Sequence, residues 1–134
     1  MRLFKDELSD LPLFSEASRS ELVAVRRNLT PLQVPAGRVL MREGARGEEF
    51  VIIVDGEVTV SRRGHTIAIL ERGDLVGEMA LLDAEGVGRR NATAIVSSDA
   101  TVYAGSRAEF RRILETAPSV GRKVRQTIAA RSAA

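Results

Sequence analysis

The stretch "VGEMALLDAEGVGRRNATAIV", residues 76–96, sets the terms for the rest of the chain. It opens on Gly77-Glu78 and runs apolar through Met79-Ala80-Leu81-Leu82. It loosens across Asp83-Ala84-Glu85-Gly86-Val87-Gly88, then presents Arg89-Arg90 just before a strand-like run. A short helix starting near Glu78 would leave its first backbone N–H groups unpaired. Those amides and the helix dipole favour an anion, and Gly77 permits close approach. An arginine at the far end of the loop can return to the same point and grip a phosphate with a forked pair. The Glu78 carboxylate only accepts hydrogen bonds, which repels phosphate but suits a sugar hydroxyl. A nucleotide with a phosphate and a free ribose hydroxyl satisfies all three groups. The competing reading is structural: Glu78 as a helix-start carboxylate held by the dipole, and Arg90 as a solvated charge before a strand.

Upstream of this loop the chain reads as short strands between turns. "LQV" (32–34) precedes the turn Pro35-Ala36-Gly37, and "RVLMRE" (38–43) precedes Gly44-Ala45-Arg46-Gly47. "FVIIV" (50–54) meets "EVTVS" (57–61) across Asp55-Gly56, which predicts a hairpin. Arg63-Gly64 reads as another turn, with "TIAIL" (66–70) as a strand after it, and Arg72-Gly73-Asp74 as a further turn. Downstream, "ATAIV" (92–96) and "TVYAG" (101–105) read as two more strands. This turn spacing suits a sandwich or jelly roll.

Helical signals flank the strands. Leu3, Phe4, Leu8 and Leu11 fall near helical spacing. Ser18-Arg19-Ser20-Glu21 is a capping box for a helix ending near Asn28-Leu29, and Ser106-Arg107-Ala108-Glu109 is a second. Pro118 suits the first turn of a last helix, in which Val120, Val124 and Ile128 share a face. The expected fold is mainly β, a sandwich or a jelly-roll barrel (double-stranded β-helix), with N-terminal helices and two C-terminal helices. It is read as one domain over 1–134, with helices in 1–30, the barrel in 31–105 holding the 76–93 loop, and helices in 106–134.

Composition narrows the function. The chain has 134 residues, a net charge of +2 and no cysteine, so disulfides and thiolate metal sites are excluded. Of the twenty basic residues only Lys5 and Lys123 are lysine, and acidic residues are interleaved with the arginines. No broad nucleic-acid surface is expected, although Arg122, Lys123, Arg125 and Arg131 share the last helix. The opening residues lack a signal-like apolar stretch and no run is long enough to cross a bilayer. A cytoplasmic protein that contacts no membrane is expected. The single histidine, His65, sits beside a turn glycine, so neither a catalytic metal nor a nucleophilic triad is expected, and no enzyme.

"GEMALL…RNATA" resembles the phosphate-binding cassette of cyclic nucleotide-binding domains, the sensor modules of catabolite activator proteins, protein kinase A regulatory subunits and cyclic nucleotide-gated channels. "LPLFSEASRSELVAV" is similar to that family's opening helices, "VPAGRVLMREGARGEEFVIIVDGEVTVSRRG" to its barrel, and "LERGDLVGEMALL" to the lead into the cassette. The resemblance implies that Glu78 binds the ribose 2′-hydroxyl and that Arg90 binds the cyclic phosphate. Backbone amides around Met79, Ala80, Asn91 and Ala92 would help, and Gly77 would lie against the ribose. Val124 or Ile128 would supply an apolar lid over the base.

The chain departs from the family pattern in three places. Twelve positions separate Glu78 from Arg90. "DAEGVG" therefore reads as a small insertion, and Arg89 is the fallback phosphate ligand. Asn91 stands where Ala, Ser or Thr is common, which leaves cAMP against cGMP open with cAMP favoured. Val76 replaces an aromatic residue. The resemblance implies a ligand-regulated sensor with no cofactor, signalling through its last helix to a protein effector or a second copy of itself. The alternative is a degenerate fold that binds no nucleotide and serves as an interaction module.

Overall fold

The computed structural model describes residues 8–77 and 89–133, with the side chains of Ile128 and of residues 130–133 outside that description. A 3-10 turn at Pro12–Phe14 leads into helix α1, Arg19–Arg27. The strands are β1 (Thr30–Val34), β2 (Val39–Met41), β3 (Glu49–Arg62), β4 (His65–Leu70), β5 (Leu75–Val76) and β6 (Thr93–Ser106). Helices α2 (Arg107–Thr116) and α3 (Pro118–Ala133) follow.

The expected hairpin at Asp55-Gly56 does not form. β3 is one 14-residue strand running straight through that dipeptide, and β6 is likewise one 14-residue strand where two were expected. The two pair antiparallel from Glu49↔Ser106 to Ser61↔Thr93, with register shifts between Ile53 and Val58. Gly56 sits in that irregularity at φ +93, and a Cβ there would lie 2.6 Å from Ala100 Cα and Asp99 O. The conformation serves a bulge that bends a long strand, where glycine admits the partner backbone.

That bend converts one sheet into two facing layers. The first half of β3 and the second half of β6 pair with β5 and β1, giving the order β1-β6-β3-β5. The other halves pair with β4 and β2, giving β2-β6-β3-β4. Between the layers lies one apolar cluster that includes Val34, Met41, Val51, Ile53, Val58, Val76 and Val102. The outer face of the first layer carries a second cluster, where Phe50, Ile52, Val54, Leu75 and Tyr103 meet Leu11, Phe14, Val25, Phe110, Ile113, Val120 and Val124. This accounts for the run Phe50–Val54, which is buried throughout: alternate side chains enter the barrel and the helical layer. The result is a mainly antiparallel β-barrel with flanking helices, as the turn spacing suggested.

Both capping boxes form. Ser18 and Glu21 exchange side-chain and backbone hydrogen bonds at the start of α1, as Ser106 and Glu109 do at the start of α2. The Glu21 carboxylate also reaches 98 residues along the chain, accepting from Ser119 N at 2.9 Å and Ser119 Oγ at 2.8 Å. Ala117, just before Pro118, has no side-chain acceptor to cap α3, so a carboxylate from α1 takes that role. Its pKa falls to about 2, chiefly through the Ser18 N–H and then the Ser119 donors. Glu16 adds ion pairs to Arg122 at 3.2 Å and Lys123 at 3.1 Å.

Candidate functional site

The site is built where the quoted loop leaves and re-enters the barrel. β5 is short, and its pairing with Val51 and Ile52 delivers Gly77 to the foot of β3. On the return, the Arg90 backbone is clamped from both sides. Its N–H donates to Ala45 O at 2.7 Å, and its carbonyl accepts from Gly44 N at 2.8 Å. Residues 77 and 90 are thereby brought together although thirteen positions separate them.

Arg90 is 9% exposed. Its guanidinium donates from Nη1 to Gly77 O at 3.0 Å and from Nη2 to Glu49 O at 2.6 Å. Backbone carbonyls thus orient a buried cation at the loop junction, where a low local dielectric strengthens its pull on an anion. Gly77 has φ +94, and a Cβ on it would meet Met41 Cε at 2.5 Å, Arg90 Nη1 at 2.8 Å and Glu49 O at 2.9 Å. Glycine is required there on both counts, conformation and space.

Arg89 faces the other way. It is exposed, forms an isolated bridge with Arg46, and donates to Gly44 O at a long 3.4 Å. Asn91 is exposed and its carbonyl accepts from Arg62 Nε at 2.9 Å. Ala92 packs against the barrel interior. Glu78, Met79 and Ala80 lie outside the described residues.

Val124 is 2% exposed and packed in the cluster with Phe50, Leu75, Phe110 and Val120. The outer face of the first sheet layer covers both Val120 and Val124. Covering a base would require Val124 to leave this seat. The side chain of Ile128 is outside the description.

Sequence reasoning missed the segment 44–49. Gly44, Ala45 and Glu49 hold Arg90 through backbone atoms alone. Gly47 O accepts from Arg107 Nη2 at 2.9 Å and Glu48 O from Arg107 N at 3.0 Å, tying the same segment to α2. Backbone acceptors leave no side-chain signature to find. Beside the site, a cavity of about 120 Å³ opens between Met41, Glu49, Val51 and Val102. Two larger grooves, at Arg72–Leu75 with Lys123 and at Asp55 with Asp99, do not touch Arg90. Among the described residues no three His, Cys, Asp or Glu side chains gather as a metal site, and no helix is long and apolar enough to cross a membrane.

A barrel of two sheet layers, backed by helices and carrying a buried arginine at a glycine-gated loop, defines the class. The model of the cyclic nucleotide-binding domain family matches residues 31–117, and the chain belongs to that family. It is 31% identical over 117 residues to a cyclic nucleotide-gated potassium channel of Rhizobium etli, covering 87% of this chain and 32% of the channel. It is 28% identical over 124 residues to the cAMP-dependent protein kinase regulatory subunit of Aspergillus fumigatus, covering 91% of this chain and 29% of that protein. The catabolite activator protein of Thermus thermophilus superposes with a TM-score of 0.78 at 27% identity, over 90% of this chain and 57% of that one. The chain thus spans about a third of the length of these two curated relatives. Their names describe a gated channel and a regulatory subunit.

Proposed function

We propose that this chain is a receptor domain for a cyclic nucleotide, with cAMP, or alternatively cGMP, as its ligand. It would act by binding rather than catalysis. One observation carries the reading: the buried guanidinium of Arg90, held by Gly77 O and Glu49 O at the junction of the loop. The two carbonyls fix the guanidinium at the junction, so a phosphate placed there would meet a cation already oriented by the backbone. Glu78 would accept from the ribose 2′-hydroxyl, with Gly77 against the sugar and amides of Met79, Ala80, Asn91 and Ala92 completing the shell. The affinity of the family for such ligands, and the cAMP dependence named for the Aspergillus fumigatus relative, support this ligand class.

The output would pass through α3 to a protein effector or a second copy. Because Val124 is already seated in the core, a lid role means that α3 swings from the sheet to the nucleotide, with Val124 or Ile128 meeting the base. The ligand shifts the balance only by its differential contact with the two positions.

The deciding experiment is a calorimetric titration with cAMP, cGMP and linear AMP in parallel. Saturable binding of a cyclic nucleotide with discrimination against AMP is expected. Heat-silent titrations with all three, on folded protein, would favour the ligand-free interaction module instead. A 2′-deoxy cyclic nucleotide should bind the wild type more weakly than its parent, and Glu78→Ala should erase that difference. An undiminished preference for the 2′-hydroxyl in the variant would remove Glu78 from the site.

A further inference from the structure

The chain that carries Arg90 re-enters the barrel between two strands. β6 starts only at Thr93, with β2 on one side of it and β3 on the other. Ahead of it, Asn91 and Ala92 form a bend outside any strand. On the β2 side this stretch is stitched to the residues that follow β2. Gly44 and Ala45 clamp the Arg90 backbone, and Glu43 N donates to Thr93 Oγ1 at 3.0 Å. On the β3 side the ladder stops at Ser61↔Thr93. One bond continues past it: Arg62 Nε donates to the Asn91 carbonyl at 2.9 Å.

The backbone that holds Arg62 is well defined. Arg62 is the last residue of β3 and pairs with His65 across the turn to β4. Arg63 and Gly64 in that turn both take positive φ, +52 and +80, as a two-residue hairpin loop requires. A non-glycine residue is uncommon in that region, and the Arg63 N–H is taken up by Glu43 Oε1 at 3.0 Å. The hairpin tip is thus tied to the end of β2 through Glu43 and to the loop exit through Arg62. The Arg62 side chain is exposed, so core packing does not call for it.

The peptide joining Asn91 to Ala92 is trans and planar, so its carbonyl and its N–H point in opposite directions. Holding the carbonyl towards the β3–β4 turn aims the Ala92 N–H away from that turn. From this geometry we infer that Arg62 is a positioning residue for the phosphate site, fixing the Asn91–Ala92 peptide and with it the direction of the Ala92 amide. It acts through the Asn91 carbonyl and not by contact with the nucleotide. An amide oriented in advance costs no ordering when the anion arrives. The inference rests on the receptor reading above, in which the amides of Asn91 and Ala92 complete the shell around the phosphate that Arg90 binds.

Calorimetric titration of the full chain with cAMP and with cGMP, in Arg62→Ala and Arg62→Gln, tests this. The glutamine amide nitrogen stands as many bonds from Cα as the arginine Nε, so Arg62→Gln keeps a donor for the Asn91 carbonyl while removing the charge. Arg62→Ala should raise the dissociation constant about three- to tenfold, with far-UV circular dichroism and Tm unchanged. Arg62→Gln should bring it back to within about twofold of wild type. In ligand-free protein, the backbone amide order parameter of Ala92, from NMR relaxation, should fall in Arg62→Ala and recover in Arg62→Gln. Wild-type affinity in Arg62→Ala overturns the inference, and so does an order parameter that does not change. Binding by Arg62→Gln as weak as by Arg62→Ala overturns it as well, because charge and not the hydrogen bond would then be what the site uses. A wild-type chain that binds neither nucleotide overturns the receptor reading and this role together, and the wild-type titration alone tells that outcome from the others.

Discussion

Arg89 and Arg90 are chemically identical and adjacent, yet only one is turned into the barrel. The backbone clamp by Gly44 and Ala45 decides this, leaving Arg90 9% exposed and Arg89 at the surface. Arg90→Ala should weaken cAMP binding at least tenfold, because truncating one member of a buried charge pair costs about 2–5 kcal/mol. It should also lower stability by about 1–3 kcal/mol, since the Gly77 and Glu49 carbonyls lose their donor. Arg89→Ala should change binding less than twofold, calorimetry and urea denaturation serving for both variants. The reverse ranking would place the phosphate one residue earlier. The residue types that the proposed site would use were legible, because phosphate and hydroxyl chemistry call for an arginine and a carboxylate. Which arginine faces inward was not legible. Residues 91 and 92 lie outside any strand, so no alternation can be counted back from Thr93. The bonds that orient the guanidinium are made by backbone oxygens of distant residues.

Elements set by local chemistry were legible. Both capping boxes stand where Ser and Glu three residues apart placed them. Asp55-Gly56 misled because positive φ serves a tight hairpin and a bulge equally well, and only the partner strand decides between them. Gly56→Ala is expected to destabilise the protein by about 2–5 kcal/mol, from left-handed backbone strain and the clash with Ala100 together, read as a fall in the urea midpoint. Equal stability would mean that β3 and β6 can separate locally without cost. The Glu21 bridge from α1 to α3 was illegible, since nothing local links Glu21 to Ser119. Its folded pKa, about 2, lies below the ordinary 4.5, so its contribution is complete above about pH 4.5 and fades as the pH falls towards 2. Thermal melts from pH 6 to 2.5 should show a drop in Tm across that window, and Ser119→Ala should flatten part of it. An identical pH profile in that variant would mean the bridge contributes nothing.

For the molecule as a whole, the proposed signal would have to pass from Arg90 to α3. The segment 44–49 touches both Arg90 and Arg107, and α3 follows α2 directly. Undocking α3 exposes Val120 and Val124, each worth roughly 1.5–3 kcal/mol, so a ligand must repay that by contacts made only in the moved position. Amide exchange across residues 118–132 should therefore differ between free and cAMP-saturated protein. Equal protection in both states, with binding proven, would rule α3 out as the moving part. The clamped ends of the loop have a consequence of another kind. Gly77 and Arg90 are fixed by β5 and by the Gly44 and Ala45 hydrogen bonds, whatever stretch of chain joins them. The entropic cost of joining two fixed points grows only logarithmically with the length of chain between them, about 0.6 kcal/mol for a doubling. A few residues added or removed between Asp83 and Gly88 should thus leave the unfolding free energy nearly unchanged while altering the fit of a nucleotide. On that expectation the length of this stretch and the stability of the barrel vary independently of each other.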